Sequence, residues 1–323
     1  MQKKSFKRKA NGIKDVCRII LLIIVVLFLL NRTFFHIGIP SAHGAFNAVG
    51  LGFQPYVSLN DNEAAVFFLD TGQSDCSLIM TGTRNVLIDG GDLDSGHIVT
   101  GALKALGVER LDYVIMSHPH VDHFGGMSEI LGNFPVGAVL MPYIPEDMIP
   151  RTYNYSKLLA AMEHYGVGCE FVKSGDIFSL GDSVLEVAAP LYDDYSELND
   201  LSVVMRFVHG DNAFLFTGDM EEAAELDLAE SGINIEADVL KVGHHGSAGA
   251  SCAEFLERVS PRLAVVEAGK YNSYGHPRTA VIERLENAGC ESFFATSFNG
   301  NIAVISDGKD LRVFTEKNRA VLL

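Results

Sequence analysis

Beyond residue 60 the chain alternates short apolar, β-branched runs with turn-forming glycines, a pattern that predicts a succession of strands and helices. Residues 64–70 (AAVFFLD), 76–80 (CSLIM) and 85–89 (NVLID) read as strands separated by glycine-containing turns. A helix over 97–107, closed by Gly107, precedes a strand over 111–117, a short helix over 125–133 and a strand over 137–142. Apolar residues three to four apart predict a helix over 152–166. The centre is strand-rich, with runs at 169–172, 176–180, 183–190, 201–210 and 212–219, and a helix over 221–232 follows. Strands at 237–242 and 263–268 then alternate with helices at 252–259 and 278–288. Further strands at 291–296, 301–306 and 311–315 complete the pattern. This is neither strict strand–helix alternation nor all-β. Two strand-rich halves, each with its own helices, predict an α+β fold of two packed sheets with helices outside, an αββα sandwich.

The first forty residues follow another pattern. Residues 19–30 (IILLIIVVLFLL) contain no polar side chain and stand behind a basic stub, 1–18. Twelve apolar residues are short of the roughly 20 that span a bilayer, but the mostly apolar stretch that follows extends the segment to residue 39. A small-residue cleavage site near Leu30 is missing, so the expectation is an uncleaved signal anchor over 19–39. Its basic flank keeps the N-terminus cytoplasmic and sends the body across the membrane. The expected protein is single-pass in the cell membrane, or secreted if the segment is cleaved. A Gly- and Pro-containing linker over 40–61 leads to one large domain over 62–316.

Charge sharpens this division. Residues 1–32 carry eight basic and one acidic side chain, whereas the remainder carries 17 basic and 40 acidic ones. Nonspecific nucleic-acid binding depends on Lys and Arg neutralising phosphates, so so acidic a body would hold a polyanion only at a metal site or a local basic patch. Cys17, Cys76, Cys169, Cys252 and Cys290 form no C-x-x-C pair, which argues against a thiolate zinc motif. The last four are expected to be buried free thiols. No obligate protein partner is evident.

The chemistry is concentrated in a few places. Residues 116–126 (MSHPHVDHFGG) place three histidines and an aspartate within six positions, after an apolar run and before two glycines. In a loop leaving a strand, His118 and His120 can point the same way, while Asp122 and His123 can face a second ion. Gly125 and Gly126 are expected to let the backbone turn sharply into the next helix. Two later apolar strands end similarly: FLFTGD delivers Asp219, and DVLKVGHHGS delivers His244 and His245. Six of the eleven histidines fall at 118–123, 244–245 and 276. His209, in VHGDNA, reads as a hairpin-turn residue.

HxHxDH followed by GG, then TGD, then a later histidine, resembles the metallo-β-lactamase superfamily of binuclear hydrolases. The flanking stretches FLDTGQSDCSLI, NVLIDGGD, LKVGHHGS, YNSYGHP and NGNIAVIS resemble the extracytoplasmic hydrolase domain of the ComEC competence family. They are similar, to a lesser degree, to choline-phosphate esterases of cell-wall teichoic acid. The resemblance covers about residues 62–308 and includes none of the many-helix channel of that family, so it implies the chemistry and not transport.

It implies two divalent metal ions, zinc or else manganese, sharing Asp219 as a bridge. His118 and His120 match ligands of the first ion; Asp122, His123 and His245, in preference to His244, match those of the second. Asp70, Asp89, Asn199 and Tyr274 match supporting positions around the ligands and the substrate. Many superfamily members have one more histidine before the bridging aspartate; here Asn199 or Asp200 stands in its place, which implies a weaker, more oxygen-rich site at the His118–His120 half. The resemblance implies hydrolysis by a hydroxide bridging the metals. Asp122 orients that hydroxide, and His244 or His276 protonates the leaving alkoxide. The implied substrate is a phosphodiester, single-stranded DNA first and a cell-wall polymer second. Lactam or lactone hydrolysis, or a non-catalytic metal-binding surface module, are the alternatives.

Overall fold

A strand that is apolar at every position must be covered on both faces, and the first strand of the body shows how this chain does it. In the computed structural model, which describes residues 59–317 except 61, together with 321–322, β1 (Ala64–Phe68) is buried throughout. Its Ala64, Val66 and Phe68 enter a core between two sheets, whereas Ala65 and Phe67 enter a second core beneath helices. The period-2 alternation of a strand thus serves two apolar layers at once.

The remaining strands follow in chain order. They are β2 (Ser77–Met80), β3 (Asn85–Ile88), β4 (Leu111–Ile115), β5 (Val136–Pro142) and β6 (Gly168–Val172). Next come β7 (Ile177–Leu180), β8 (Ser183–Ala189), β9 (Val204–His209), β10 (Asn212–Phe216), β11 (Val239–Lys241), β12 (Leu263–Val266) and β13 (Ser292–Ala295). The last are β14 (Ile302–Ser306), β15 (Leu311–Thr315) and β16 (Val321–Leu322). One sheet has the order β16-β15-β14-β1-β2-β3-β4-β5-β6, and the other β13-β12-β11-β10-β9-β8-β7. Both are mixed. β3 to β6 run parallel, as do β10 to β13, while the other pairs are antiparallel.

On the outer face of the first sheet lie α1 (Gly96–Ala105), α3 (Met127–Asn133) and α4 (Tyr153–Tyr165), with α2 (Val121–Phe124) just before α3. The second sheet is covered by α5 (Glu222–Glu230), α6 (Ala253–Val259) and α7 (Thr279–Asn287), and a short α8 (Thr296–Asn299) follows β13. The order of layers is helix, sheet, sheet, helix, as the pattern predicts. Thr152 starts α4 by accepting the Tyr155 N–H, and Gly166 ends it in the left-handed conformation.

Some expectations change. The strand anticipated from residue 201 starts at Val204, because Leu198–Leu201 wind into a single 3-10 turn. The helix anticipated over 125–133 is α3, which starts at Met127, and a separate short helix that was not anticipated, α2, precedes it. Gly125 and Gly126 have right-handed helical backbones, so no unusual turn demands glycine there. A Cβ on Gly126 would lie 2.2 Å from the Gly90 carbonyl oxygen, and one on Gly125 2.4 Å from the Leu93 nitrogen. Close approach of two backbones is the reason. Cys76 and Cys252 are buried, but Cys169 is exposed on edge strand β6 and Cys290 is half-buried. His209 closes β9 in the β9–β10 hairpin, its Nδ1 2.8 Å from Ser306 Oγ. The stub 1–18, the anchor 19–39 and nearly all of the linker lie outside the described residues. Among the described residues, no helix is long and apolar enough to cross a membrane.

Candidate metal centre

In each sheet the parallel strands end at the same place, and there the side chains change from apolar to metal-ligating. Asp89 follows β3, the 116–123 loop follows β4, Asp219 follows β10, His244 and His245 follow β11, and Glu267 follows β12. Carboxyl ends of parallel strands are where α/β sheets place ligands, because successive loops diverge there. Asp122, His123, Asp219 and His245 converge so that one donor atom from each lies within 4.8 Å of all the others. His245 Nε2 is 3.3 Å from Asp122 Oδ2 and 3.6 Å from Asp219 Oδ2, and His123 Nε2 is 3.3 Å from Asp219 Oδ2.

Backbone strain aims these groups. Asp89, His244 and His245 all have positive φ, at 60°, 46° and 53°, a conformation non-glycine residues adopt at a cost of about 1–3 kcal/mol each. The consecutive pair at 244–245 turns both imidazoles toward the cluster. At Asp89 the carboxylate accepts from the Ser117 N–H (2.8 Å) and Oγ (2.7 Å), and its Oδ2 lies 2.8 Å from His123 Nδ1. That contact leaves the His123 Nε2 edge to face Asp219.

The residues fit a divalent ion. Two imidazoles and two carboxylates are a donor set suited to zinc or manganese. His123 Nε2 and Asp219 Oδ1 are buried without a hydrogen-bond partner, a costly condition that a cation relieves. Burial alone would push Asp219 up, yet the His123 and His245 imidazoles hold it well below the usual carboxylate range. Burial would likewise push His245 down, but the Asp219 and Asp75 carboxylates raise it to about 10. The field at the cluster favours positive charge.

A family model for the metallo-β-lactamase superfamily matches residues 69–269, most of the described domain. The chain belongs to that superfamily. ComE operon protein 3 of Bacillus subtilis is 32% identical to it over 243 residues, covering 70% of this chain and 31% of that protein. Competence protein ComA of Neisseria gonorrhoeae is 32% identical over 257 residues, covering 74% of this chain and 34% of the other. The superfamily chain therefore spans about a third of the length of these relatives. Among solved structures, the metallo-β-lactamase fold protein YhfI of Bacillus subtilis is similar with a TM-score of 0.49 at 14% identity, covering 73% of this chain and 97% of that one.

Within this metallo-β-lactamase fold the two halves of the anticipated ligand set differ. His118 is fully buried and His120 exposed; His118 Nε2 lies 2.9 Å from His120 Nδ1. Where many superfamily members have a further histidine, the chain presents three other groups. Ser202 Oγ is 3.5 Å from His118 Nδ1, and Asn199 Nδ2 is 3.4 Å from His244 Nδ1. Asp200 is already engaged, accepting the Glu221 N–H at 3.1 Å. Of the two late histidines, His245 sits in the cluster, while His244 is held at its rim. His244 Nδ1 is 2.7 Å from Glu221 Oε1, and its Nε2 is 3.6 Å from Asp219 Oδ2. His276 faces His244 with ring centroids 5.9 Å apart, and Tyr274 stacks on His276 at 5.5 Å. Burial, then His244 and His245, push His276 down to about 4.

Asp70 is the anticipated residue brought elsewhere: its carboxylate pairs with Lys317 at 3.2 Å and its N–H donates to Asn301 Oδ1. The supporting carboxylate beneath the cluster is Asp75, which the sequence pattern did not single out. Its Oδ1 is 3.1 Å from His245 Nδ1 and its Oδ2 3.8 Å from His123 Nδ1, and it forms a fully buried ion pair with Lys241. Glu267 shares this layer, accepting from Cys76 N–H and Ser77 Oγ at 3.2 Å each; burial and Asp75 raise it to about 8. One signal was visible, since a lysine inside the apolar run DVLKVG requires a buried carboxylate partner.

Proposed function

We propose that the chain is a metal-dependent phosphodiester hydrolase, anchored by its N-terminal apolar segment with the catalytic domain on the extracytoplasmic side. The observation that carries this reading is the convergence of Asp122, His123, Asp219 and His245 at the open end of the sheets. These four would hold one divalent ion, and His118 and His120, with Asp219 shared, a second. Bound there, such ions supply Lewis acidity, activating water and offsetting charge on a phosphoryl oxygen.

The chain's own side chains divide the remaining work. Asp122 stands at the solvent side of the cluster, where its carboxylate can orient a water for in-line attack on phosphorus. Glu221 fixes the His244 ring and leaves Nε2 facing the cluster, placed to give a proton to the departing alkoxide. His276, which faces His244 but is pushed down to about 4, is the poorer second candidate. Single-stranded DNA is the first substrate class, supported by a relative named as a competence protein; a cell-wall phosphodiester is the second.

Assay of the full chain with zinc or manganese on a bis-aryl phosphodiester, on single-stranded DNA and on a lactam tests this. Turnover of the first two, reduced at least about a hundredfold by Asp122→Ala, is expected. Turnover of the lactam alone would replace the reading with acyl hydrolysis. No turnover and no tightly held metal would replace it with a non-catalytic surface module.

A further inference from the structure

One segment beside the cluster stands apart from the acidic body in charge and exposure. Residues 269–278 (GKYNSYGHPR) contain Lys270, Arg278, two tyrosines and His276, and no acidic residue. Tyr271 is 91% exposed and Tyr274 60% exposed, among the most exposed large side chains described. Looseness does not explain this, because the loop is fastened at several points. Asn272 Nδ2 donates to the carbonyls of Gly269 and His276 at 2.7 Å each, and Asn272 Oδ1 accepts the His276 N–H at 2.9 Å. The Gly269 N–H donates to Gln73 Oε1 at 3.0 Å, and the Arg278 N–H to the Gly246 carbonyl at 2.9 Å. That last bond ties the loop to the strained His244–Gly246 turn.

The rings are thus held in the open at a known place. Tyr274 lies on His276, His276 faces His244, and His244 reaches Asp219. Lys270 Nζ sits 5.5 Å from the centroid of the Tyr271 ring. Exposed aromatic faces with interleaved cations are how proteins hold unpaired nucleobases while neutralising the phosphates between them. An aromatic cage for a quaternary ammonium needs the opposite surroundings, since Lys270 and Arg278 would repel the ligand.

Resting on the phosphodiesterase reading above, we infer that the 270–278 loop is a stacking platform. Tyr271 and Tyr274 hold unpaired nucleobases of the strand whose phosphate lies at the metal cluster, and Lys270 neutralises a neighbouring phosphate. The platform then selects single-stranded nucleic acid over other phosphodiesters.

Binding tests the platform separately from hydrolysis. The full chain carrying Asp122→Ala, with zinc present, is titrated into a fluorescent oligothymidylate of about ten nucleotides and into its abasic counterpart. The base-bearing strand should bind about tenfold more tightly than the abasic one, the order expected of one base–aromatic stack. Tyr271→Ala should remove most of that difference, and Tyr271→Phe should retain it, since the ring and not the hydroxyl stacks. Equal binding of the two strands, no effect of Tyr271→Ala, or displacement of the strand by phosphocholine would each overturn the inference. Absence of phosphodiester turnover by the unsubstituted chain would instead count against the hydrolase reading, and strand binding would still decide the platform.

Discussion

The two ends of the sandwich are built from the same strands and yet treat backbone strain in opposite ways. At the metal-centre end the left-handed positions include, beside Gly91, Gly218 and Gly246, the non-glycine residues Asp89, His244 and His245, each bearing a side chain that reaches the cluster or orients a ligand. At the opposite end, the β7–β8, β9–β10 and β14–β15 turns place glycine at the left-handed positions: Gly181, Gly210 and Gly308. These line a cavity of about 390 Å³ with Glu63, Asp182 and His209. A glycine adopts positive φ without steric cost, so this end is relaxed. Of the five non-glycine left-handed positions among the described residues, Asp89, His244 and His245 belong to the metal centre, and Ser251 and Ser260 are the other two; the surrounding packing holds the strain in place. The lesson is that chemistry, not topology, distinguishes the two ends.

The comparison can be broken most forcefully at the shared carboxylate. Asp219→Ala should lower phosphodiester turnover by more than the roughly 10–100-fold that loss of an outer partner costs a metal site. Its bound metal, measured by elemental analysis, should fall with it. An unaltered metal content would show that the cluster is not the ligand set. The next effect concerns the layer beneath. Lys241→Met leaves Asp75 buried without its cation, and urea unfolding should show a loss of about 3–5 kcal/mol. A loss below about 1 kcal/mol would mean that the pair is dispensable.

At the relaxed end, Gly210→Ala would place a Cβ 2.4 Å from the Gly308 carbonyl oxygen at a φ of 58°. It should cost about 1–3 kcal/mol of stability while turnover per folded molecule stays unchanged. The smallest expected effect is the mirror image. His244→Gly relieves a left-handed imidazole position but adds unfolded-chain entropy, so stability should rise by no more than about 1 kcal/mol. Turnover should nevertheless fall. If His244→Gly were as destabilising as Gly210→Ala, the strain at 244 would not be a retained cost of function.

Much of this was readable before the structure, for a physical reason. β1, β5 from Ala138 onward and β10 after Asn212 are apolar because both faces are covered, so their runs stand out. His118, His120, Asp122 and His123 lie so close in sequence that one loop must bring them together. Asp219 and His245 were found because each ends an apolar strand. What stayed hidden depends on pairings across the two sheets. Asp75 reads as a turn residue before β2, and only the approach of β11 from the other sheet gives it Lys241, 166 positions away. Asp70 reads equally well as a site acid, but Lys317, far along the chain, engages its carboxylate. The 3-10 turn at Leu198–Leu201 was masked by apolar residues continuous with β9. Local pattern identifies elements and clustered ligands; it does not say which distant charges will meet.

The account stands on the claim that the cluster of Asp122, His123, Asp219 and His245 holds metal and uses it on phosphodiesters. The most direct test is turnover of a bis-aryl phosphodiester by the full chain before chelation, after chelation, and after return of zinc or manganese. Activity that disappears with the metal and returns with it is the predicted result. Undiminished turnover by the chelated chain, or no turnover with either metal restored, would contradict it.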